Sequence, residues 1–284
     1  MSRVHRSEPE LANKPAADRS VDARDRRRLD EALVERGLVE TRSRARALIM
    51  AADVLVNGVP VTRAGAVIRG RDEVSLRALP RFVSRGGEKL DRAMDSFGID
   101  VHDIVAADFG ASTGGFTDCL LQRGAARVYA IDVGYGQLAS RLRQDPRVVV
   151  IDRTNVRNLE SLPELVDLVT IDVSFIGLRL VLPAARNVLS NDGRIVALVK
   201  PQFEAGRSEV GRGGVVRDPL AHRNVLANLF ATAQEHGLGI TALTASPLRG
   251  PAGNIEFLAE LVPGVASMPM SDAIESALAE APPK

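Results

Sequence analysis

From Ile104 onward, short apolar runs alternate with longer amphipathic stretches, and this alternation limits the chain to very few folds. The apolar runs fall near 104–109, 127–132, 147–151, 167–172, 193–200, 239–246 and 254–260. Helix-like stretches lie near 115–123, 135–143, 176–189 and 218–236. Strand–helix alternation of this length predicts a mostly parallel sheet wound on both faces, an α/β Rossmann-like architecture. Ligands in such sheets sit at the carboxyl ends of the strands. Asp108, Gly110–Gly115, Asp132, Asp152, Asp172 and Lys200 are therefore the residues to watch.

The first of these strand ends carries a glycine-rich turn, Asp108-Phe109-Gly110-Ala111-Ser112-Thr113-Gly114-Gly115-Phe116-Thr117-Asp118. Glycine lets the backbone pass close to a ligand, and the helix start that follows supplies free N–H groups. The spacing is not G-x-G-x-x-G, and no Lys-Ser/Thr follows, so a phosphate loop is excluded. Asp132-Val133 closes the next apolar run, where a carboxylate can grip ribose hydroxyls. A ligand with a ribose and no phosphate fits this pair of features, which points to S-adenosylmethionine. The expected cofactor contacts are Asp108, Gly110, Ala111, Ser112, Thr113, Gly114, Gly115, Phe116, Thr117, Asp132, Val133, Asp152 and Asp172.

Composition narrows the class further. No apolar run is long enough to span a bilayer, and no apolar core follows the charged N-terminus. Cys119 is the single cysteine, and the four histidines show no metal-ligand spacing. A reduced, cytoplasmic protein without a metal or an obligate protein partner is expected. Net charge is +1, but residues 1–87 carry a surplus of six positive charges and the remainder a deficit of five. A basic front on a near-neutral chain suggests a part that holds an anionic polymer. Of 37 basic residues only Lys14, Lys89, Lys200 and Lys284 are lysines. The two interior ones stand out, because a buried lysine can lose its proton and an arginine cannot.

Residues 1–25 read as a polar tail and 26–78 as a small α+β domain. Helical spacing begins at Arg26, with Leu29, Ala32, Leu33 and Leu38 apolar. Thr41 caps a second helix through Met50, on which Arg42 and Arg46 share a face. Short strands follow around the hairpin-type turn Asn57-Gly58. Arg28-Leu29-Asp30, Arg42-Ser43-Arg44-Ala45, Val54-Leu55-Val56-Asn57-Gly58 and Asp72-Glu73-Val74 resemble the S4 RNA-binding domain in order and spacing. The resemblance implies recognition of structured RNA by shape and phosphate contacts, for which arginine is suited. Arg28, Arg42, Ser43, Arg44, Arg46 and Asn57 are the expected RNA contacts here, with Arg85, Arg207 and Arg212 further along.

A linker is expected over 79–85, a methyltransferase-type domain over 86–270, and a terminal helix and tail over 271–284. Asp172 and Lys200 each end an apolar run, Glu256 lies near the start of the last one, and Lys89 is on the first turn of a helix. Two lysines and two carboxylates around one sheet edge suit methyl transfer to a ribose hydroxyl. The acceptor is a poor acid, so a basic amine at Lys200 helps, with the carboxylates orienting the lysines. Burial and like charge favour the neutral amine while each carboxylate opposes it, and sequence leaves that balance open. The loop 205–216, with Gly206, Gly211, Gly213 and Gly214, reads equally as a lid or a plain connector.

The turn at 110–118, Asp132-Val133-Gly134-Tyr135-Gly136, Asp172-Val173-Ser174-Phe175, Lys200-Pro201-Gln202-Phe203-Glu204 and Gly253-Asn254-Ile255-Glu256-Phe257 together resemble the TlyA family. That family joins an S4 domain to an FtsJ-like methyltransferase domain and has also carried a haemolysin label. The resemblance implies a Lys-Asp-Lys-Glu tetrad at Lys89, Asp172, Lys200 and Glu256. It further implies cytidine 2′-O-methylation in 23S and, in longer members, 16S ribosomal RNA, with ribosomal subunits as partners and a link to capreomycin sensitivity. A base methyltransferase and a non-catalytic ribosome-binding factor are the rivals. The first usually needs an Asn/Asp-Pro-Pro-aromatic turn where Asp172-Val173-Ser174-Phe175 stands; the second needs neither Asp132 nor the interior lysines.

Overall fold

The computed structural model describes residues 26–77 and 81–282. The expected tail over 1–25, Leu79 and Pro80 of the linker, and Lys14 and Lys284 lie outside the described residues. The chain divides into two compact units between positions 79 and 80.

In the first unit, β1 (Arg26–Arg28) precedes α1 (Leu29–Glu35) and α2 (Arg42–Met50). Arg26–Arg28 is thus a strand, not the first helical turn that residue spacing suggests. It pairs antiparallel with β4 (Val67–Arg69), and the helix starts one residue before Asp30. Thr41 caps α2 by accepting the Arg44 N–H at 3.2 Å. Strands β2 (Val54–Val56), β3 (Val59–Pro60) and β5 (Val74–Leu76) form a three-stranded antiparallel sheet in the order β3-β2-β5. Leu29, Leu33, Ile49 and Val54 are sealed in its core.

The second unit opens with α3 (Gly86–Phe97) and then builds the sheet. The strands are β6 (Val105–Phe109), β7 (Arg127–Ile131), β8 (Val148–Ile151), β9 (Val166–Ile171), β10 (Leu189–Val199), β11 (Leu238–Ala245) and β12 (Phe257–Pro263). Their order is β11-β12-β10-β9-β6-β7-β8, with only β12 reversed against its neighbours. From β6 the chain runs outward to β7 and β8, then returns to place β9 on the other side of β6. The crevice at the carboxyl ends of β6 and β9 is the switch point, where ligands of such sheets bind.

Helices cover both faces, each burying an apolar stripe. Leu90, Met94, Phe116 and Leu120 pack under one face, and Leu182, Leu226, Phe230 and Ile274 under the other. The helices besides α3 are α4 (Gly115–Gln122), α5 (Ser140–Arg143), α6 (Leu182–Val188), α7 (Pro201–Glu204), α8 (Pro219–Glu235) and α9 (Met270–Ala279). The helix expected over 135–143 is helical only from Ser140. The preceding loop spends its backbone on acids instead: Gly134 N–H donates to Asp132 and Gly136 N–H to Asp152. β10 also starts earlier than its apolar run, at Leu189, with a shift of register before Arg194. No helix among the described residues is long and apolar enough to cross a membrane.

Candidate active site

The Gly110 turn is shaped by β9 beside it. Asp172 N–H donates to the Phe109 carbonyl at 2.9 Å, and Gly110 N–H to the Ile131 carbonyl at 2.9 Å. Gly110 has φ +89°, and a Cβ there would lie 2.8 Å from the Asp172 carbonyl oxygen. Only glycine lets the two strand ends close this far. At Gly115 a Cβ would lie 2.2 Å from Ser84 Oγ and 2.9 Å from Gly87 N. The N-termini of α3 and α4 therefore touch through bare backbone. That contact carries Lys89, on the first turns of α3, into the same crevice as the glycine turn.

Two cavities share Gly110, Ser112, Asp172, Ser174, Phe175 and Phe203 in their walls. The one of about 740 Å³ runs toward β7 and takes in Asp132, Val133, Gln137, Asn155 and Val156. Asp132 is tied at both oxygens, accepting Ser112 N–H at 2.8 Å and Gly134 N–H at 2.7 Å. A carboxylate has about four acceptor sites, so capacity for ligand hydroxyls remains. The other cavity, of about 560 Å³, is lined by Lys89, Lys200, Glu256 and Asp172 together with Arg85 and Asn254.

Within it the four charged residues form two ion pairs. Lys89 Nζ meets Glu256 Oε2 at 2.5 Å, and both side chains are nearly closed to solvent. Lys200 Nζ meets Asp172 Oδ1 at 2.7 Å and donates to Ser174 Oγ at 3.0 Å. Lys200 Nζ is thus fixed from two sides at the cavity wall. Asp172 sits where both cavities meet, so it borders any group in either. Phe175 is 90% exposed at φ +64°, its ring 5.0 Å from that of Phe203. An exposed aromatic in a disfavoured backbone region marks the cavity mouth as specialised.

Some expected contacts lie elsewhere. Asp108 is fully buried behind the turn, accepting Thr117 N–H at 2.9 Å, Thr117 Oγ1–H at 2.7 Å and Thr170 Oγ1–H at 3.2 Å. It anchors the start of α4 and lines neither cavity. Burial pushes its carboxyl up to about 7, opposed by the Thr117 hydroxyl and raised further by the Asp172 charge. Thr117 is buried with it, and Gly114 packs on Leu138 and Leu142, where a Cβ would fall 2.7 and 2.3 Å from their side-chain carbons. Asp152 is also displaced from the cavity walls. It pairs with Arg143 at 3.0 Å and accepts Gly136 N–H at 3.3 Å.

Arg207 and Arg212 are exposed on the 205–216 loop. That loop is built rather than loose: Gly211 bridges to Val215, and the buried Asn254 side chain accepts Val216 N–H and donates to the Gly214 carbonyl, both at 2.9 Å. Asn254, Ser174 and Ser84 are site residues that sequence patterns do not single out. Their only signal is their place, each two to five residues from a tetrad member. In the first unit, Arg28, Arg42 and Arg46 come together, while Ser43 and Arg44 are exposed on α2. Asn57 does not join them. Its side chain closes the hairpin, donating to Asp72 at 3.1 Å and accepting Glu73 N–H at 2.9 Å. Among the described residues no group of acids, histidines or cysteines is arranged to hold a metal.

Sheet order, glycine turn and ion-paired lysines define a methyltransferase of the FtsJ-like class, and residues 82–261 match the FtsJ-like methyltransferase model. Residues 27–74 match the S4 domain model. The 16S/23S rRNA (cytidine-2′-O)-methyltransferase TlyA of Mycobacterium tuberculosis is 46% identical over 268 residues, spanning 90% of this chain and 99% of that one. Hemolysin A of Brachyspira hyodysenteriae is 42% identical over 238 residues, spanning 83% of this chain and 99% of that one. A solved structure from Streptococcus thermophilus with a hemolysin label superposes at a TM-score of 0.68 with 41% identity, covering 90% of this chain and 97% of the other. The chain belongs to the TlyA family.

Proposed function

We propose that the protein transfers a methyl group from S-adenosylmethionine to the 2′-hydroxyl of cytidine in ribosomal RNA, in 23S and also in 16S. One observation carries this reading: an amine held at 2.7 Å by Asp172 and 3.0 Å by Ser174, at the wall of a cavity that adjoins the Asp132 cavity. The related M. tuberculosis protein is named for the same reaction on both RNAs, which supports the substrate and the two subunits.

The residues present fit the cofactor. Asp132 faces the larger cavity with acceptor capacity for the ribose diol, and the backbone of Gly110 and Ser112 forms its floor. When bound, S-adenosylmethionine supplies an electrophilic methyl carbon on a sulfonium. In its neutral form Lys200 would accept the proton of the 2′-hydroxyl as that oxygen displaces sulfur from the methyl carbon, leaving a thioether, and would then release the proton to water. Asp172 and Ser174 hold the amine, and the Lys89–Glu256 pair lines the same cavity. The exposed face of Phe175 suits a stacked base. The boundaries proposed are an RNA-binding part over 26–78 and a catalytic part over 86–270.

Titration with S-adenosylmethionine tests the cofactor assignment. Asp132→Ala is expected to raise Kd by about 100-fold, since two charge-assisted hydrogen bonds to the ribose are lost. An unchanged Kd would remove Asp132 as the ribose ligand and with it the assignment of the larger cavity.

A further inference from the structure

In the first unit one buried acid gathers three arginines from two elements. Asp30, on the first turn of α1, is completely closed to solvent. Arg28 of β1 donates to it through Nε at 3.0 Å and Nη2 at 3.2 Å. Arg42 donates through Nη2 at 3.2 Å, and Arg46, one turn further along α2, through Nε at 3.1 Å. The three arginine side chains are themselves about half exposed, at 46%, 49% and 53%. Charge-assisted bonds from Arg28, then from Arg46 and Arg42, hold the Asp30 carboxyl well below the usual carboxylate range. Glu31 joins only the rim: it lies 3.1 Å from Arg42 and 3.9 Å from Arg28, and is itself 36% exposed.

A guanidinium has five N–H donors in a rigid plane. Arg46 commits only Nε to Asp30, so its two Nη groups have no partner among the described residues. An arginine tethered by one edge presents the other edge in a fixed direction. Three such side chains tethered to one point make a preorganised fan of donors. Free arginines on a helix would instead have to surrender rotamer freedom when an anion arrives.

We propose that Asp30 is a positioning residue for nucleic-acid phosphate: its buried carboxylate aims Arg28, Arg42 and Arg46 as one anion-binding fan. This rests on the reading that the first unit binds ribosomal RNA. The assignment runs against simple charge arithmetic. Removing an acid from a basic surface strengthens phosphate binding by Coulomb attraction alone. Removing Asp30 weakens it, because an amide at this position turns N–H groups toward the guanidinium N–H groups and the fan splays.

The test measures binding of the full chain to deproteinised 23S rRNA across a salt series. Asp30→Asn is expected to weaken binding about 10-fold and to flatten the log–log salt dependence by about one phosphate contact. Glu31→Gln, which removes an equal charge from the rim, is expected to bind as tightly as wild type or more tightly. Amide hydrogen exchange in α1 and α2 reports whether Asp30→Asn keeps the fold. Arg46→Lys gives an arm independent of that outcome, since it keeps the charge on a half-exposed side chain. A single ammonium cannot hold Asp30 and reach outward at once, so Arg46→Lys is expected to lose about as much affinity as Arg46→Gln. A folded Asp30→Asn that binds as well as wild type, or an Arg46→Lys that binds as wild type, overturns the proposal. Absence of binding by the wild-type chain would instead sink the RNA reading on which it rests.

Discussion

Lys200→Arg is expected to fold, to bind S-adenosylmethionine as the wild type does, and to lose methyl transfer. Arginine keeps the positive charge and the length to reach Asp172, so the ion pair at 2.7 Å has a replacement. It cannot give up its proton at usable pH, and so cannot accept one from the 2′-hydroxyl. Loss of a positioned general base costs about 10²- to 10⁴-fold in rate. Single-turnover transfer with saturating cofactor and RNA isolates that step from binding. A rate within about threefold of wild type, against the fall that loss of a base brings, would show that Lys200 serves only to hold Asp172 in place.

The second large effect falls on stability. Glu256→Ala strands the Lys89 ammonium in a site where the lysine side chain is only 10% exposed and Glu256 is its 2.5 Å partner. Breaking a buried pair by deleting one member costs about 3–5 kcal/mol, far more than the pair contributes over apolar residues of similar size. For a unit of this size a loss of that order lowers Tm by about 10 °C. The double variant Lys89→Met with Glu256→Leu is expected to recover most of the melting temperature while remaining inactive. That outcome separates the pair's two roles, because stability tolerates an apolar replacement and the reaction does not. Melting of Glu256→Ala within about 2 °C of wild type would mean that Lys89 finds water or another partner, against the cost of an unpaired buried charge.

These expectations rest on features that differ in how far the sequence announces them. The strand ends are legible, since a charge that closes an apolar run, as at Asp132, Asp172 and Lys200, falls where the sheet opens onto its crevice. The pairing is not. Lys89 and Glu256 are 167 residues apart, and the close contact of two bare helix starts at Gly115 and Gly87, with the packing of Leu90 and Met94 in the cluster that holds Leu258, brings α3 against the end of the sheet that carries Glu256. Asp108 and Asp132 look alike in sequence, each an acid after apolar residues near glycine. One is the fourth residue of β6 and points into the protein; the other follows β7 and faces the cavity. A side chain alternates faces with every residue along a strand, so an error of one position in the strand end reverses the reading. Asn57 and Asp152 are spent at least in part on nearby backbone, accepting Glu73 N–H and Gly136 N–H, a use of polar turn residues that sequence does not distinguish from ligand binding. The Arg28, Arg42 and Arg46 cluster is visible in the sequence as basic charge. The acid that orders it shows only once β1 replaces the expected helical turn.

The central claim is that the methyl group goes to ribose oxygen. Alkaline cleavage of RNA requires attack by the 2′-oxygen on the neighbouring phosphate, so a methylated 2′-oxygen leaves one bond uncut. Ribosomal RNA from subunits treated with the protein and S-adenosylmethionine is therefore to be hydrolysed in mild alkali and resolved as a ladder. The account predicts a missing rung at discrete cytidines in 23S and 16S RNA, absent with Lys200→Arg. A complete ladder from RNA that has nonetheless incorporated methyl groups would place them on the bases and contradict it.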